Sequence, residues 1–358
     1  MSGVPVALRS RPVLVTGGAG FIGANLADRL AAEGHDVLVL DALLRPGVET
    51  NLDWLRRRHP RRISAMVADI RDEAVVSEAV GRASAVFHLA AQVAVTTSMT
   101  SPMDDFDVNV RGTLHVLEAL RRRGERVPVV FASTNKVYGD LHDIRLEGAG
   151  TAYLPQDPAL RAHGIGEDRA LAFYTPYGCS KGAADQYVLD YARSFGIPAC
   201  VLRMSCIYGP RQMGTEDQGW LAHFLISILD GRPISIYGDG RQVRDVLFVD
   251  DAVAAYVRAW QSIGDISGRA FNLGGGPANA VNLLEVLAEM EVATGRRAKV
   301  TFNGWRPGDQ RYFVADSRRA QAALGLDTFV GWRDGLGRLT RWMRAHRTTE
   351  LQPAAAGQ

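Results

Sequence analysis

Lysine is nearly absent from this 358-residue chain: Lys136, Lys181 and Lys299 stand against 38 arginines. Arginine carries the ordinary surface charge, so the few positions that keep a lysine draw attention. Cysteine is equally scarce. Cys179, Cys200 and Cys206 are odd in number and lack a CxxC spacing, which excludes a disulfide framework and a thiolate zinc site. The histidines form no HExxH or similar ligand pairing, so no metal is expected. No apolar run reaches the ~18 residues of a membrane span, and residues 1–10 lack the apolar core of a signal peptide. These absences lead to the expectation of a cytoplasmic protein without a membrane partner. Neither sign of charge dominates. With 41 basic and 39 acidic side chains the formal charge is +2, which gives no reason to expect nucleic acid as a partner. The basic run Arg56–Arg62 reads as a solvated connection between two elements.

What is present is globular in composition and long enough for two domains or one large α/β unit. Short apolar runs alternate with helical patterns, which predicts a parallel sheet with crossover helices. The predicted strands are Val13–Val15, Val37–Leu40, Ala65–Ala68, Ala85–Leu89, Val129–Ala132 and Pro198–Leu202. Helical spacing marks Phe21–Ala32, Val108–Arg121 and Tyr177–Phe195. After Leu202 the loops lengthen, and Pro and Gly cluster at Gly209-Pro210 and Gly238-Asp239-Gly240. A smaller lobe is expected there.

Between the first strand and first helix lies Thr16-Gly17-Gly18-Ala19-Gly20-Phe21-Ile22-Gly23. Gly17, Gly20 and Gly23 allow a tight turn, a close backbone approach to a pyrophosphate and close helix packing, and the helix N-terminus offers free N–H groups. The second strand ends in Asp41, where a carboxylate accepts from ribose hydroxyls and repels a 2′-phosphate. NAD is therefore expected over NADP, with Arg45 just downstream working against that preference. Asp69 and Ile70, after the third strand, would lie over the adenine.

Tyr177 and Lys181 are four apart on a predicted helix and share a face. An ammonium beside a phenol favours the phenolate, and such a tyrosine can exchange a proton with a sugar hydroxyl. Thr134, at the end of the fifth strand, is placed to hydrogen-bond the reacting oxygen, with Ser133 as second choice.

Together these segments resemble the extended short-chain dehydrogenase/reductase family of nucleotide-sugar epimerases and dehydratases, from about Val13 to Met343. The resemblance is carried by TGGAGFIG (16–23), HLAAQ (88–92), NVRGT (109–113), STNKVYGD (133–140), YGCSK (177–181), GDGRQVRDVLFVDD (238–251) and RPGDQ (306–310). It implies a Rossmann-type doubly wound parallel sheet with a smaller α/β substrate-binding lobe. Residues 11–199, with return segments at about 242–275, would bind NAD. Residues 200–241 and 276–346 would form the substrate lobe, and 347–358 a flexible tail. It further implies Thr134, Tyr177 and Lys181 as the catalytic triad, with Asn109 as a structural neighbour. Phe21, Ile22, Leu89, Ala90 and Ala91 would join Gly17, Gly20, Gly23, Asp41, Asp69, Ile70, Tyr177 and Lys181 around NAD. Gln92, Thr134, Asn135, Arg211, Gln212, Arg244 and Arg306 would meet a nucleotide-diphosphate sugar.

The resemblance also implies a homodimer, formed through helices 108–121 and 177–195. Segments 90–102, 180–196 and 211–220 resemble members that invert C2 of a CDP-linked (deoxy)hexose through a keto intermediate. The residues themselves leave C2 and C4 inversion open. Dehydratases of the family carry Asp-Glu after the threonine, where this chain has Asn135 and Lys136. A net dehydrogenase, or a non-catalytic NAD-binding protein, is the remaining alternative; the latter usually lacks the Tyr or Lys kept here.

Overall fold

A computed structural model describes residues 11–306 and 308–350. Seven parallel strands form the main sheet: β1 (Val13–Thr16), β2 (Val37–Asp41), β3 (Ile63–Val67), β4 (Ala85–His88), β5 (Val129–Thr134), β6 (Ala199–Met204) and β7 (Arg269–Leu273). Their spatial order is β7-β6-β5-β4-β1-β2-β3. The direction of winding reverses between β1 and β4, and ligands of such sheets bind at that switch point, beyond the carboxyl ends of the strands.

Alternate residues of the strands feed two cores. Val13, Val15, Val37 and Val39 pack with the helices Phe21–Ala32 and Val249–Gln261 on one face. Leu14, Leu38 and Leu40 pack with Val116, Leu117 and Val188 on the other. Burial on both faces is why these strands read as continuous apolar runs rather than alternating ones.

The smaller lobe has its own core around Leu221, Phe224, Ile234, Val286 and Leu336. Its central strand, Val243–Phe248, pairs with Cys206–Tyr208, Ala280–Asn282 and Tyr312–Phe313. The expected return segment at 242–275 therefore divides: the strand Val243–Phe248 belongs to the small sheet, while the following helix and β7 join the large one. The last helix, Trp332–Glu350, continues four residues into the segment expected as a tail, and 351–358 lie outside the described residues.

Two further differences have local causes. Arg56, Arg57 and Arg58 are not in a connection but in the last turn of the helix Val48–Arg58, where cations complement the helix dipole. The segment expected as one helix from Val108 opens with a π-helical turn, Asp107–Arg111, before the α-helix Gly112–Arg123. That extra residue per turn brings Asn109 inward to a buried cluster described below. At Gly112 a Cβ would come 2.8 Å from the Ile70 side chain, so only glycine fits where this helix meets the loop after β3.

A buried ion pair ties the long helix Thr175–Phe195 to the sheet. Arg203 on β6 donates from Nε and Nη2 to the two oxygens of Asp185, both at 2.9 Å. Ser133 on β5 donates to the same carboxylate at 2.8 Å, and Arg203 Nη1 reaches the Tyr138 hydroxyl at 3.1 Å. Asp185 is fully buried and Arg203 nearly so. Removing one partner leaves the other charge stranded, at a typical cost of about 3–5 kcal/mol. Arg203→Met should lower unfolding free energy by about that amount in urea titration, and adding Asp185→Leu should restore much of it. A loss for Arg203→Met under about 1 kcal/mol would show that the pair does not anchor the helix.

Candidate active site

The glycine loop joins β1 to the helix Phe21–Ala32. Gly17 has φ +67°, and a Cβ there would sit 2.8 Å from the Ala90 nitrogen and 2.9 Å from the Leu89 carbonyl carbon. At Gly23 a Cβ would lie 2.1 Å from the Gly17 oxygen, so the first helical turn presses on the loop's own backbone. Gly20 caps the helix without a side-chain hydrogen bond, and no acidic residue occupies the first turn. The leading N–H groups, at Phe21 and Ile22 among others, lack intrahelical acceptors and suit a pyrophosphate.

Asp41, at the end of β2, accepts from the Ala19 N–H at 3.0 Å and the Leu43 N–H at 2.9 Å. Its carboxylate is thereby fixed beside the loop, where a ribose would be met. These features fit a dinucleotide. Asp69 lies beyond β3 but is paired with Arg71 at 2.7 Å, which holds its carboxyl below the usual range, while Ile70 is buried against Gly112.

Leu89, Ala90 and Ala91 follow β4. The backbone N–H groups of Leu89 and Ala90 donate to the Thr16 carbonyl and hydroxyl, at 3.1 and 3.2 Å. His88 stands between the Thr16 and Thr113 hydroxyls, at 2.7 and 3.0 Å. Burial first, and then the Lys181 charge, push its imidazole down to about 3. It is a neutral strut under the loop, and no pairing in the sequence marks it.

Tyr177 and Lys181 do share a buried face of the helix Thr175–Phe195, turned to the end of β5. Lys181 Nζ donates to the Ala132 carbonyl at 2.6 Å and lies 4.2 Å from the centre of the Phe131 ring. The expected electrostatics are reversed, however. Burial pushes the phenol up to about 12, against a hydrogen bond with Thr134 that lowers it and the Asp105 charge that raises it further. Burial likewise pushes the Lys181 amine down to about 7, against Asp185 and Asp105. Desolvation outweighs the partner here because the amine is held by a strand carbonyl rather than aimed at the phenol. Between the two hydroxyls at the end of β5, Ser133 is taken by Asp185, and Thr134 faces Tyr177.

A cluster in which the sequence marked only Asn109 and Gln92 surrounds this pair. The buried Asp105 accepts from Ser180 at 2.5 Å, Gln92 at 2.7 Å and Asn109 at 3.2 Å. Asn109 also donates to Ser180 at 3.0 Å and accepts from the Gln92 N–H at 2.9 Å. Gln92, expected at the substrate, instead has both ends of its amide bound within the chain, its oxygen receiving the Ala94 N–H.

The other expected substrate residues fall into two places. Asn135 is buried next to Thr134. Arg244 donates to Asp309 at 2.6 Å, and Arg306 lies 3.7 Å from the Tyr237 ring centre, near Glu216 and Asp217 at 3.3 and 3.4 Å. Arg211 is elsewhere. With φ +71°, it stacks 3.2 Å over Trp54, and its carbonyl accepts from Asn51, which also bonds the Ala19 carbonyl of the glycine loop. Its position is thus on the dinucleotide side, away from Arg244 and Arg306. Gln212 is buried and donates to the Ile207 carbonyl at 3.1 Å. Among the described residues no group of His, Cys, Asp and Glu could hold a metal, and no helix is long and apolar enough to cross a membrane.

Residues 13–274 match the NAD dependent epimerase/dehydratase family. The chain is 40% identical over 337 residues to the CDP-paratose 2-epimerase of Salmonella typhi, covering 92% of this chain and 98% of that one. It is 33% identical over 332 residues to the UDP-glucose 4-epimerase of Mycolicibacterium smegmatis, covering 92% and 98%. Of solved structures, the Thermus thermophilus UDP-glucose 4-epimerase in complex with NAD superposes with a TM-score of 0.78 at 31% identity, covering 93% of this chain and 99% of that one.

The depressed Lys181 amine has a measurable consequence. Between about pH 7 and pH 10 the unfolded chain holds a proton that the folded amine has lost, so stability should rise with pH across that window. Lys181→Met removes the group and should flatten the rise in denaturant titrations without added nucleotide. An unchanged slope would mean that the buried amine keeps its ordinary affinity for the proton.

Proposed function

Because the chain belongs to the NAD dependent epimerase/dehydratase family, we propose that it inverts C2 of a CDP-linked (deoxy)hexose by transient oxidation to a ketone. The observation that carries the epimerase reading is the meeting of Thr134, Tyr177 and Lys181 at the end of β5, with Asn135 and Lys136 where a dehydratase needs carboxylates. Likeness to a 2-epimerase over nearly the whole chain supports the choice of C2. NAD held by the glycine loop and Asp41 would supply hydride acceptance and return, with no net redox.

In this reading Gly17, Gly20, Phe21, Ile22, Gly23 and Leu89–Ala91 cradle the dinucleotide, with Asp41 on its ribose and Asp69 and Ile70 near its adenine. Tyr177 takes the proton of the sugar hydroxyl and gives it back, and Thr134 holds that oxygen. Lys181 lies along the same helix face, with its amine on the Ala132 carbonyl at the end of β5. Its amine, at about 7, takes either state near neutral pH. Arg244 and Arg306 meet the diphosphate or nucleoside. Homodimer formation through the helices Gly112–Arg123 and Thr175–Phe195, and residence in the cytoplasm, complete the proposal.

Inversion at C4 is the second reading, favoured by the likeness to 4-epimerases. NMR of products from CDP-, UDP-, GDP- and dTDP-sugars separates the two. Inversion at C2 of a CDP-sugar is expected, and inversion at C4 with C2 untouched would replace the proposal. Tyr177→Phe should lower turnover at least a thousandfold, roughly the upper range of a general base's contribution, and leave NAD binding within about twofold. Retention of more than about a tenth of the wild-type rate would assign the proton transfer to another residue.

A further inference from the structure

Lys136 is one of three lysines in the chain, and it lies two residues beyond Thr134, in the 3-10 turn Asn135–Tyr138. Its backbone N–H donates to the Thr134 hydroxyl at 3.2 Å, so the two side chains are set by one turn of backbone. Its amine crosses to the smaller lobe. There it meets only neutral acceptors, both at the long limit: the Gly308 carbonyl and the Gln310 side-chain oxygen, each at 3.4 Å. Among the described residues no carboxylate pairs with it. The nearby Asp309 is held by Arg244 at 2.6 Å, and Arg306 is balanced by Glu216 and Asp217. The Lys136 amine thus has no carboxylate in contact, while Arg244 has Asp309. Burial first, and then Arg244, push the amine down to about 8, against Asp309, Cys206 and Asp140. An anionic group of a ligand would give this amine the ionic partner it lacks.

The shape of the substrate says which anion. In a sugar nucleotide the diphosphate hangs on C1, next to C2 and across the ring from C4. Placing the C2 hydroxyl on Tyr177 and Thr134 brings the β-phosphate within reach of a cation close to Thr134, because only C1 and its oxygen separate the phosphorus from the reacting carbon. Placing the C4 hydroxyl there sends the phosphate to the far side.

We propose that Lys136 binds the β-phosphate of the nucleotide sugar and so selects C2 for reaction. This rests on the C2 reading above. Arg244, already engaged by Asp309, is the secondary contact.

Calorimetry on the NAD-bound enzyme with CDP and CMP tests the lysine directly. Lys136→Gln should weaken CDP about tenfold to a hundredfold, the usual range for a charged hydrogen bond, and leave CMP within about twofold. Lys136→Arg should recover most of the CDP affinity. CDP bound by Lys136→Gln as tightly as by the wild type overturns the proposal. Equal weakening of CDP and CMP overturns it too, since that marks a merely structural lysine. Product analysis of the unaltered enzyme reads the C2 assignment separately. Inversion at C4 by the wild type removes that assignment and this inference with it, whereas inversion at C2 with unchanged CDP binding in Lys136→Gln removes the role of the lysine alone.

Discussion

The bidentate contact of Arg203 with the buried Asp185 decides where the long helix Thr175–Phe195 lies. Tyr177, Lys181 and Asp185 are successive fourth residues on one helical face. Fixing Asp185 under β5 and β6 therefore fixes the phenol and the amine over the end of β5. The opposite end of the site is held by Asp105, whose three donors come from the loop after β4, the π-helical turn and the helix itself. A side chain of the reacting pair could move only by breaking one of these two buried polar clusters.

Burial that gives this precision also sets the electrostatics. The phenol is raised and the amine lowered because both are removed from water. Such a site resists forming charge until a ligand supplies compensating groups, which suits a proton transfer confined to the bound state. The region near Arg244 and Lys136 differs in kind: among the described residues its lysine amine has only neutral groups in contact. One part of the cleft is thus suited to a neutral hydroxyl and the adjacent part to an anion.

The sequence made the sheet legible because parallel strands buried on both faces leave unbroken apolar runs, and because Gly17 and Gly23 answer to backbone contacts that no side chain allows. Tyr177 and Lys181 were legible through their spacing. Their pKa shifts were not, since spacing says nothing about desolvation or about the Ala132 carbonyl that takes the amine. Asp105 and Asn109 are four residues apart but distant in sequence from Ser180, and Asn109 lies in the π-helical turn, whose extra residue has no periodic signature. His88 sits inside a strand and reads as an ordinary buried position. The resemblance placed Arg211 with Arg244 and Arg306 at the substrate, but Trp54 and Asn51 draw it to the dinucleotide side. The rarity of lysine, and its place where dehydratases carry a carboxylate, pointed to Lys136.

The central claim is that a hydride leaves one sugar carbon and returns to the same carbon. Turnover of a CDP-sugar carrying deuterium at C2, in ordinary water and followed by NMR, measures this most directly. Product inverted at C2 with its deuterium retained is the predicted result. Loss of that deuterium to solvent would contradict direct return and point to a carbon-acid route through a neighbouring ketone.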